Sequence, residues 1–331
     1  MKLERLGERE LIEAIRREFS SAGRRVTLGI GDDAAVLRPG KLPLILTKDL
    51  LVENVDFIRR LHAAFFIGRK SLNVNLSDIA AMGGTPKYAL LGLGFPPDLS
   101  SRWVREFLAG FESAARQAGV VLVGGDLSKA KEIVISVTVL GEGLKLVTRS
   151  GARPGHLAFI SGYPGDAKLG FELTLKRISL GGDKRADPVL RAFLDPVPQI
   201  HLGRELARSN IASAMIDTSD GLSVDLMHIC DESGVGAEIE LSSLPLSAGM
   251  KIFGGKRSVA YALHGGEDFG LLFTSPPAKG RLLDRLAKKF RITKIGRITR
   301  KKGIHLVDRS GRRTPLEIKG YEHFTSKETS R

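Results

Sequence analysis

The residues of this chain best suited to chemistry are aspartates in glycine-bearing loops. Asp32 and Asp33 stand in GIGDDAAV, Asp49 in LTKD, Asp78 in NLSDIAAMGG and Asp126 in LVGGD; Asp217 and Asp220 stand in IDTSDG, and Glu267 and Asp268 in HGGED. Most close an apolar stretch or adjoin glycine, which places carboxylates at strand ends, where loops converge and sites are built. Glycine beside them lets the backbone approach a ligand or adopt positive φ. Any single loop reads equally well as turn chemistry; five of one kind point to a shared purpose. With one Cys and no clustered His, the donors are hard oxygens. Mg²⁺, held jointly by carboxylates and substrate phosphates, is the expected ion. Clustered carboxylates repel unless cations compensate them or their pKa values rise, so a phosphate-bearing substrate would approach them through bridging metals.

Other phosphate-handling patterns are missing. The chain has no G-x-x-x-x-G-K-[ST] loop, no H-R-D with D-F-G pair, and no G-x-S-x-G elbow. Gly29-Ile30-Gly31 begins a dinucleotide-like pattern without its third glycine.

The elements that must carry these loops mix α and β in both halves. Apolar periodicity predicts helices over 8–19, 62–82, 102–118, 165–177, 198–209 and about 219–232. Short apolar runs bounded by Gly and Pro predict strands over 26–37, 43–51, 88–95, 120–123, 133–140, 157–161 and 212–217. The polar, Gly- and Pro-bearing stretch 142–156 marks a boundary, giving domains 1–145 and 146–331. His228 and Cys230 fall in the last predicted helix and read as packed or flanking residues, not ligands.

Length and composition fit two ordinary folded domains: 331 residues, 42% hydrophobic and 27% charged. One Cys excludes an intrachain disulfide and a cysteine zinc site, and no apolar run approaches a membrane span. Met1 opens onto a charged stretch unlike a signal peptide, so a soluble cytoplasmic protein is expected. The formal net charge of +14 is uneven, with 17 basic and 5 acidic residues in 279–331. A helix over 281–290 and a hairpin-like stretch over 300–313 would carry much of it as a solvated basic surface. Attraction of polyanions is the sharper reading, but no zinc-finger, RNA-recognition or helix-turn-helix signature accompanies it.

Taken in order, GIGDDAAVL, NLSDIAAMGGTPKYALLGLGFP, VGGDLS, RSGARPG, PQIHLG, IDTSDGLSVDLMHI, ALHGGEDF and GYEHF resemble thiamine-monophosphate kinases over about 29–324. Single motifs are shared with the wider PurM-like superfamily of aminoimidazole ribonucleotide synthetase, selenophosphate synthetase and HypE. The combination of IDTSDGLS, GGED and GYEHF is more specific. The resemblance implies ATP-dependent phosphorylation of thiamine monophosphate to thiamine diphosphate, by direct in-line transfer with several Mg²⁺ ions and no dedicated base. It implies a PurM-like two-domain α/β (α+β) fold. The N-terminal domain would bind ATP and metal and form a β-barrel across a homodimer, and a C-terminal α/β domain would leave the site in the cleft. By the same resemblance Asp32, Thr47, Asp49, Asp78, Asp126, Asp217 and Asp220 would ligate metal. Gly125, Asp126, Arg149 and Ser219 would contact ATP, and Asp56, Glu267 and Tyr321 the acceptor.

Four positions depart from the family pattern. Lys48 stands between two ligand positions where the family has Thr, and Asp56 where it commonly has His. Leu108 replaces an aromatic, and Phe269-Gly270 follows GGED in place of Tyr-Glu. The alternatives are another ATP-dependent member of the superfamily with a different acceptor and, in a different class, a nucleic-acid-binding protein using the basic C-terminal surface. Selenophosphate synthetase would call for a Cys in a glycine-rich N-terminal segment and HypE for a C-terminal one; Cys230 matches neither.

Overall fold

A computed structural model describes residues 17–18, 26–28, 36–37 and 43–320. Asp32, Asp33, Tyr321 and most of the helix expected over 8–19 lie outside the described residues; Arg17 and Glu18 are helical. The single strand expected over 26–37 is instead two short ones, β1 (Val26–Leu28) and β2 (Val36–Leu37), paired antiparallel.

The chain divides into two compact units. The first is Met1–Leu146 with Gly203–Glu205, and the second is Val147–Leu202 with Leu206–Arg331.

In the first unit β3 (Leu44–Val52), β4 (Thr85–Phe95), β5 (Val121–Lys129) and β6 (Val134–Glu142) form an open sheet in the order β3-β6-β4-β5. Helices α1 (Ala64–Ala81) and α2 (Ser101–Ala118) belong to the same unit. Only β4 and β5, joined through α2, run parallel; both β6 pairings are antiparallel. Strand periodicity sorts the faces: Ile45, Leu51, Leu91, Ile135, Val137 and Val139 are buried, whereas Leu44, Leu46 and Leu50 alternate outward and are exposed. Helix α2 starts on Ser100, whose side chain accepts from the Arg102 amide at 3.2 Å, and stops at left-handed Gly119. Leu108 lies in its buried stripe, 1% exposed, so this departure is a core residue. A Cβ on Gly68 would lie 2.0 Å from the Phe107 carbonyl oxygen, and one on Gly110 would lie 1.9 Å from that of Phe65. The α1 and α2 backbones therefore touch where neither carries a side chain.

The second unit is built on a seven-stranded sheet of order β13-β12-β9-β11-β7-β10-β8. Its strands are β7 (Leu157–Ser161), β8 (Ala214–Asp217), β9 (Gly236–Glu240), β10 (Leu271–Ser275), β11 (Ile292–Thr299), β12 (Gly303–Val307) and β13 (Arg313–Pro315). All pairings are antiparallel except β12 with β9. The helices are α3 (Asp166–Leu175), α4 (Asp187–Leu194), α5 (Ile200–Arg208, of which Gly203–Glu205 is assigned to the first unit), α6 (Leu222–Ser233), α7 (Ser258–His264) and α8 (Gly280–Ala287). The main core joins Ile160, Ile216, Ala237, Ile239, Leu272 and Ile298 of the sheet to Leu226 and Ile229 of α6. Cys230 belongs to it, and burial pushes its thiol up to about 12. The hairpin expected over 300–313 is present as β12 and β13.

Candidate active site

Two of the expected carboxylates sit within strands and not at strand ends: Asp49 in β3 and Asp126 in β5. Both strands are edges of their sheet. Thr47 and Asp49 share the β3 face of Ile45 and Leu51, and the Thr47 hydroxyl donates to Asp78 Oδ2 on α1 at 2.5 Å. The Asp49 carboxyl is raised to about 7, chiefly by burial and then by the charges of Asp78 and Asp56. Crowded hard oxygens of this kind are the environment a cation relieves.

Lys48 alternates to the exposed face, where its ammonium donates to Ser136 Oγ at 2.6 Å. Asp56 accepts the Val52 amide at 2.8 Å, closing the turn after β3. Asp126 is exposed and in register with Gly92. Three strand spacings, about 14 Å, separate its strand from β3, so the sheet does not bring it to Thr47 and Asp49. Beside it, a Cβ on Gly125 would lie 1.8 Å from the Leu91 carbonyl oxygen. Among the described residues no three His, Cys, Asp or Glu side chains converge into a closed metal site.

In the second unit Asp217 ends β8 and is 4% exposed. The loop after it is fastened to the GGED segment by backbone bonds. Glu267 N–H donates to the Ser219 carbonyl at 2.7 Å, Phe269 N–H to that of Thr218 at 2.8 Å, and Thr218 N–H to that of Gly270 at 3.0 Å. Glu267 and Phe269 both take left-handed backbone, at φ 67° and 48°, a costly conformation for side chains that persists only where the surroundings impose it. Gly270 N–H donates to Thr218 Oγ1 at 2.9 Å, so a family departure sits inside this clasp.

Two carboxylates hold this arrangement: Asp225, to which sequence reading gave no role, and Asp268, read only as one of the loop carboxylates. Asp225, fully buried in the first turn of α6, accepts from the amides of Gly221 at 3.1 Å and Asp220 at 3.4 Å. Burial, then Asp217 and Asp220, raise its carboxyl to about 9. An acid reaching back to amides at a helix start is a capping pattern and was visible in SDGLSVD. Asp268 accepts from Gly165 N–H at 2.5 Å and Ala167 N–H at 3.0 Å, at the start of α3, and burial raises it to about 8. That pairing joins segments 101 and 103 residues apart in the chain, so no local pattern signals it.

Arg149 is exposed; its loop is tied down by Ser233, whose hydroxyl accepts from the Gly151 and Ala152 amides at 3.1 Å. Ser223 Oγ donates to the Lys319 carbonyl at 2.6 Å, and a Cβ on Gly320 would lie 2.6 Å from the Asp220 carbonyl oxygen. The chain leading to Tyr321 thus passes against the Asp220 loop.

This architecture is that of the AIR-synthase-related proteins. Residues 31–142 match the family described as AIR synthase related protein, N-terminal domain, and residues 160–309 match its C-terminal domain. Curated relatives include the thiamine-monophosphate kinases of Aquifex aeolicus (strain VF5), 36% identical over 98% of this chain and 100% of that one, and of Escherichia coli (strain K12), 35% identical over 97% and 99%. The chain belongs to the thiamine-monophosphate kinase family. Among solved structures, AaThiL complexed with AMPPCP and TMP is 36% identical, with a TM-score of 0.78 and coverage of 98% of this chain and 99% of that one. The Stenotrophomonas maltophilia K279a thiamine-monophosphate kinase is 35% identical, with a TM-score of 0.81 over 89% and 95%. Hydrogenase maturation protein HypE in complex with ATP, at 20% identity and TM-score 0.77, shares the fold.

Proposed function

We propose that this protein transfers the γ-phosphoryl group of ATP to the phosphate of thiamine monophosphate, giving thiamine diphosphate and ADP. Near-full-length similarity to thiamine-monophosphate kinases supports the reading, as does the related AaThiL complex with AMPPCP and TMP. The observation that carries it is the clasp between Ser219 and Glu267. It holds an expected nucleotide contact beside an expected acceptor contact.

The acceptor phosphate is already an anionic nucleophile, so the residues need to align and neutralise more than to remove a proton. Glu267 and the segment leading to Tyr321 orient the acceptor. Ser219, Arg149 and the Gly125–Asp126 stretch of β5 address the nucleotide, with Arg149 as a forked cation. The oxygen donors fit Mg²⁺. Thr47, Asp49 and Asp78 crowd together in the first unit, Asp217 and Asp220 stand near Asp225 in the second, and the raised Asp49 carboxyl marks a place that favours added positive charge. Asp32 and Asp126 complete the expected set. Mg²⁺ bound there would screen the phosphates from these carboxylates and stabilise charge on the transferring group. Asp56, which accepts the Val52 amide, is held by the turn at the position expected to meet the acceptor.

Residues 1–145 and 146–331 are assigned as the ATP/metal-binding and dimerisation domain and as the C-terminal domain. The open sheet leaves Leu44, Leu46, Leu50 and Leu90 exposed by 52%, 68%, 54% and 38%, and a second copy covering them would form the homodimeric barrel. No described helix is long and apolar enough to cross a membrane; a cytoplasmic location fits the expected substrates.

Product chromatography tests the function. Purified protein with ATP, Mg²⁺ and thiamine monophosphate is expected to yield thiamine diphosphate and ADP in equal amounts, and Asp217→Asn to yield neither. ATP turnover without thiamine diphosphate would redirect the site to another acceptor.

A further inference from the structure

The second unit holds a cationic cavity whose lining includes none of the residues expected to contact ATP, metal or acceptor. It has a volume of about 640 Å³ and is lined by Arg297, Arg300, Lys301, His305 and Arg313 around Glu238, with Pro154, Gly155 and Pro315 as apolar walls. Glu238, 8% exposed, is its hub. The Arg297 guanidinium donates to Glu238 Oε2 at 2.8 Å, and Arg313 Nε pairs with Oε1 at 3.2 Å. One carboxylate thus gathers two guanidiniums, and their remaining N–H groups are left for another acceptor. Sheet register makes the cluster a built feature. Arg297 and His305 lie directly opposite Glu238 on the two neighbouring strands, and Pro315 lies opposite His305. The Arg300 and Lys301 side chains, in the turn between β11 and β12, make no ion pair among the described residues. Four cations against one carboxylate leave a net +3.

Within the second unit the cavity lies apart from Asp217. Asp217 ends β8, at one edge of the sheet, while Glu238 is on β9, four strand spacings or about 19 Å across it. The chemistry it favours is narrow. Its volume suits a small ligand, its charge suits an anion, and no Phe, Tyr or Trp lines it for base stacking.

We propose that this cavity is a second anion site, taking a di- or triphosphate group held by Arg297, Arg313, Arg300 and Lys301. The ligand is read through its phosphates, whether free polyphosphate or the phosphate end of a nucleotide.

The test is calorimetric titration of the full chain with inorganic pyrophosphate and tripolyphosphate in EDTA, where the metal-free carboxylates of the kinase site repel both. Saturable binding is expected, weakened at least tenfold by the surface double variant Arg300→Glu/Lys301→Glu and unchanged in Asp217→Asn. The double variant is expected to keep wild-type thermal stability and kinase turnover. An arm with ADP separates the sources: affinity no greater than for pyrophosphate supports recognition of phosphates alone, and much tighter ADP binding overturns it. No binding at millimolar anion, binding indifferent to the double variant, or tighter capture of a single-stranded oligonucleotide at these same residues would each overturn the proposal.

Discussion

The amide of Glu267 donates to the carbonyl of Ser219 at 2.7 Å, and this bond joins the two loops richest in family-specific sequence. One residue further along, Asp268 anchors the same segment to the start of α3. The geometry offered to donor and acceptor is therefore set by backbone bonds and by one buried carboxylate beside them.

Loss of that anchor is the first prediction. Asp268→Ala removes the acceptor of two backbone amides and a helix cap, an expected cost of about 2–3 kcal/mol. Urea denaturation reads the stability. Steady-state kinetics should show the KM for thiamine monophosphate rising more than that for ATP, because Glu267 is the residue set free. Equal changes in both would count against the positioning role.

Asp225 supplies a pH dependence. Its folded-state pKa is raised from 3.8 to about 9. Its contribution to stability is thus fully present below about pH 4 and is lost as pH rises toward 9, where the unfolded chain ionises readily and the folded one does not. In EDTA, wild type should lose stability relative to Asp225→Asn across this window, by up to about 1.4 kcal/mol per pH unit. Parallel stability profiles for the two proteins would refute the assignment.

Cation binding should be visible at Asp49. In metal-free protein its carboxyl is expected to titrate near 7 by carbon-13 NMR. Addition of Mg²⁺ should move the midpoint down, since positive charge favours the ionised form. Asp78→Asn should also lower it, though only in part, because burial is the larger cause. A midpoint insensitive to Mg²⁺ would remove Asp49 from the ligand set.

The homodimer is tested at the exposed sheet face. Leu46→Glu, at a position 68% exposed, should fold normally and run as a monomer by light scattering, whereas wild type is expected to run as a dimer. A dimeric variant would place the interface elsewhere.

Gly125 tests how far its motif is shaped by packing. Gly125→Ala sets a methyl 1.8 Å from the Leu91 carbonyl oxygen, and the strand separation this forces should cost about 1–3 kcal/mol by thermal unfolding. A fully stable variant with lost ATP binding would show that the glycine is kept for the nucleotide alone.

The sequence by itself determined the chemistry and most of the elements. Hard oxygen donors, the absence of other phosphate motifs and the family resemblance were all legible from residue types and spacing. Helices α1 and α2 were legible because their burial pattern and stop signals are local. Other features were not. Asp126 was expected beyond the strand over 120–123 and lies inside β5, because extension of a strand depends on the partner it pairs with. β9, β10 and β11 were not anticipated, since their pairings join residues far apart in the chain.

The roles of Asp225 and Asp268 were decided only by tertiary structure. A carboxylate becomes a neutral anchor or a charged ligand according to what buries it. Burial comes from long-range packing, which the local sequence does not carry.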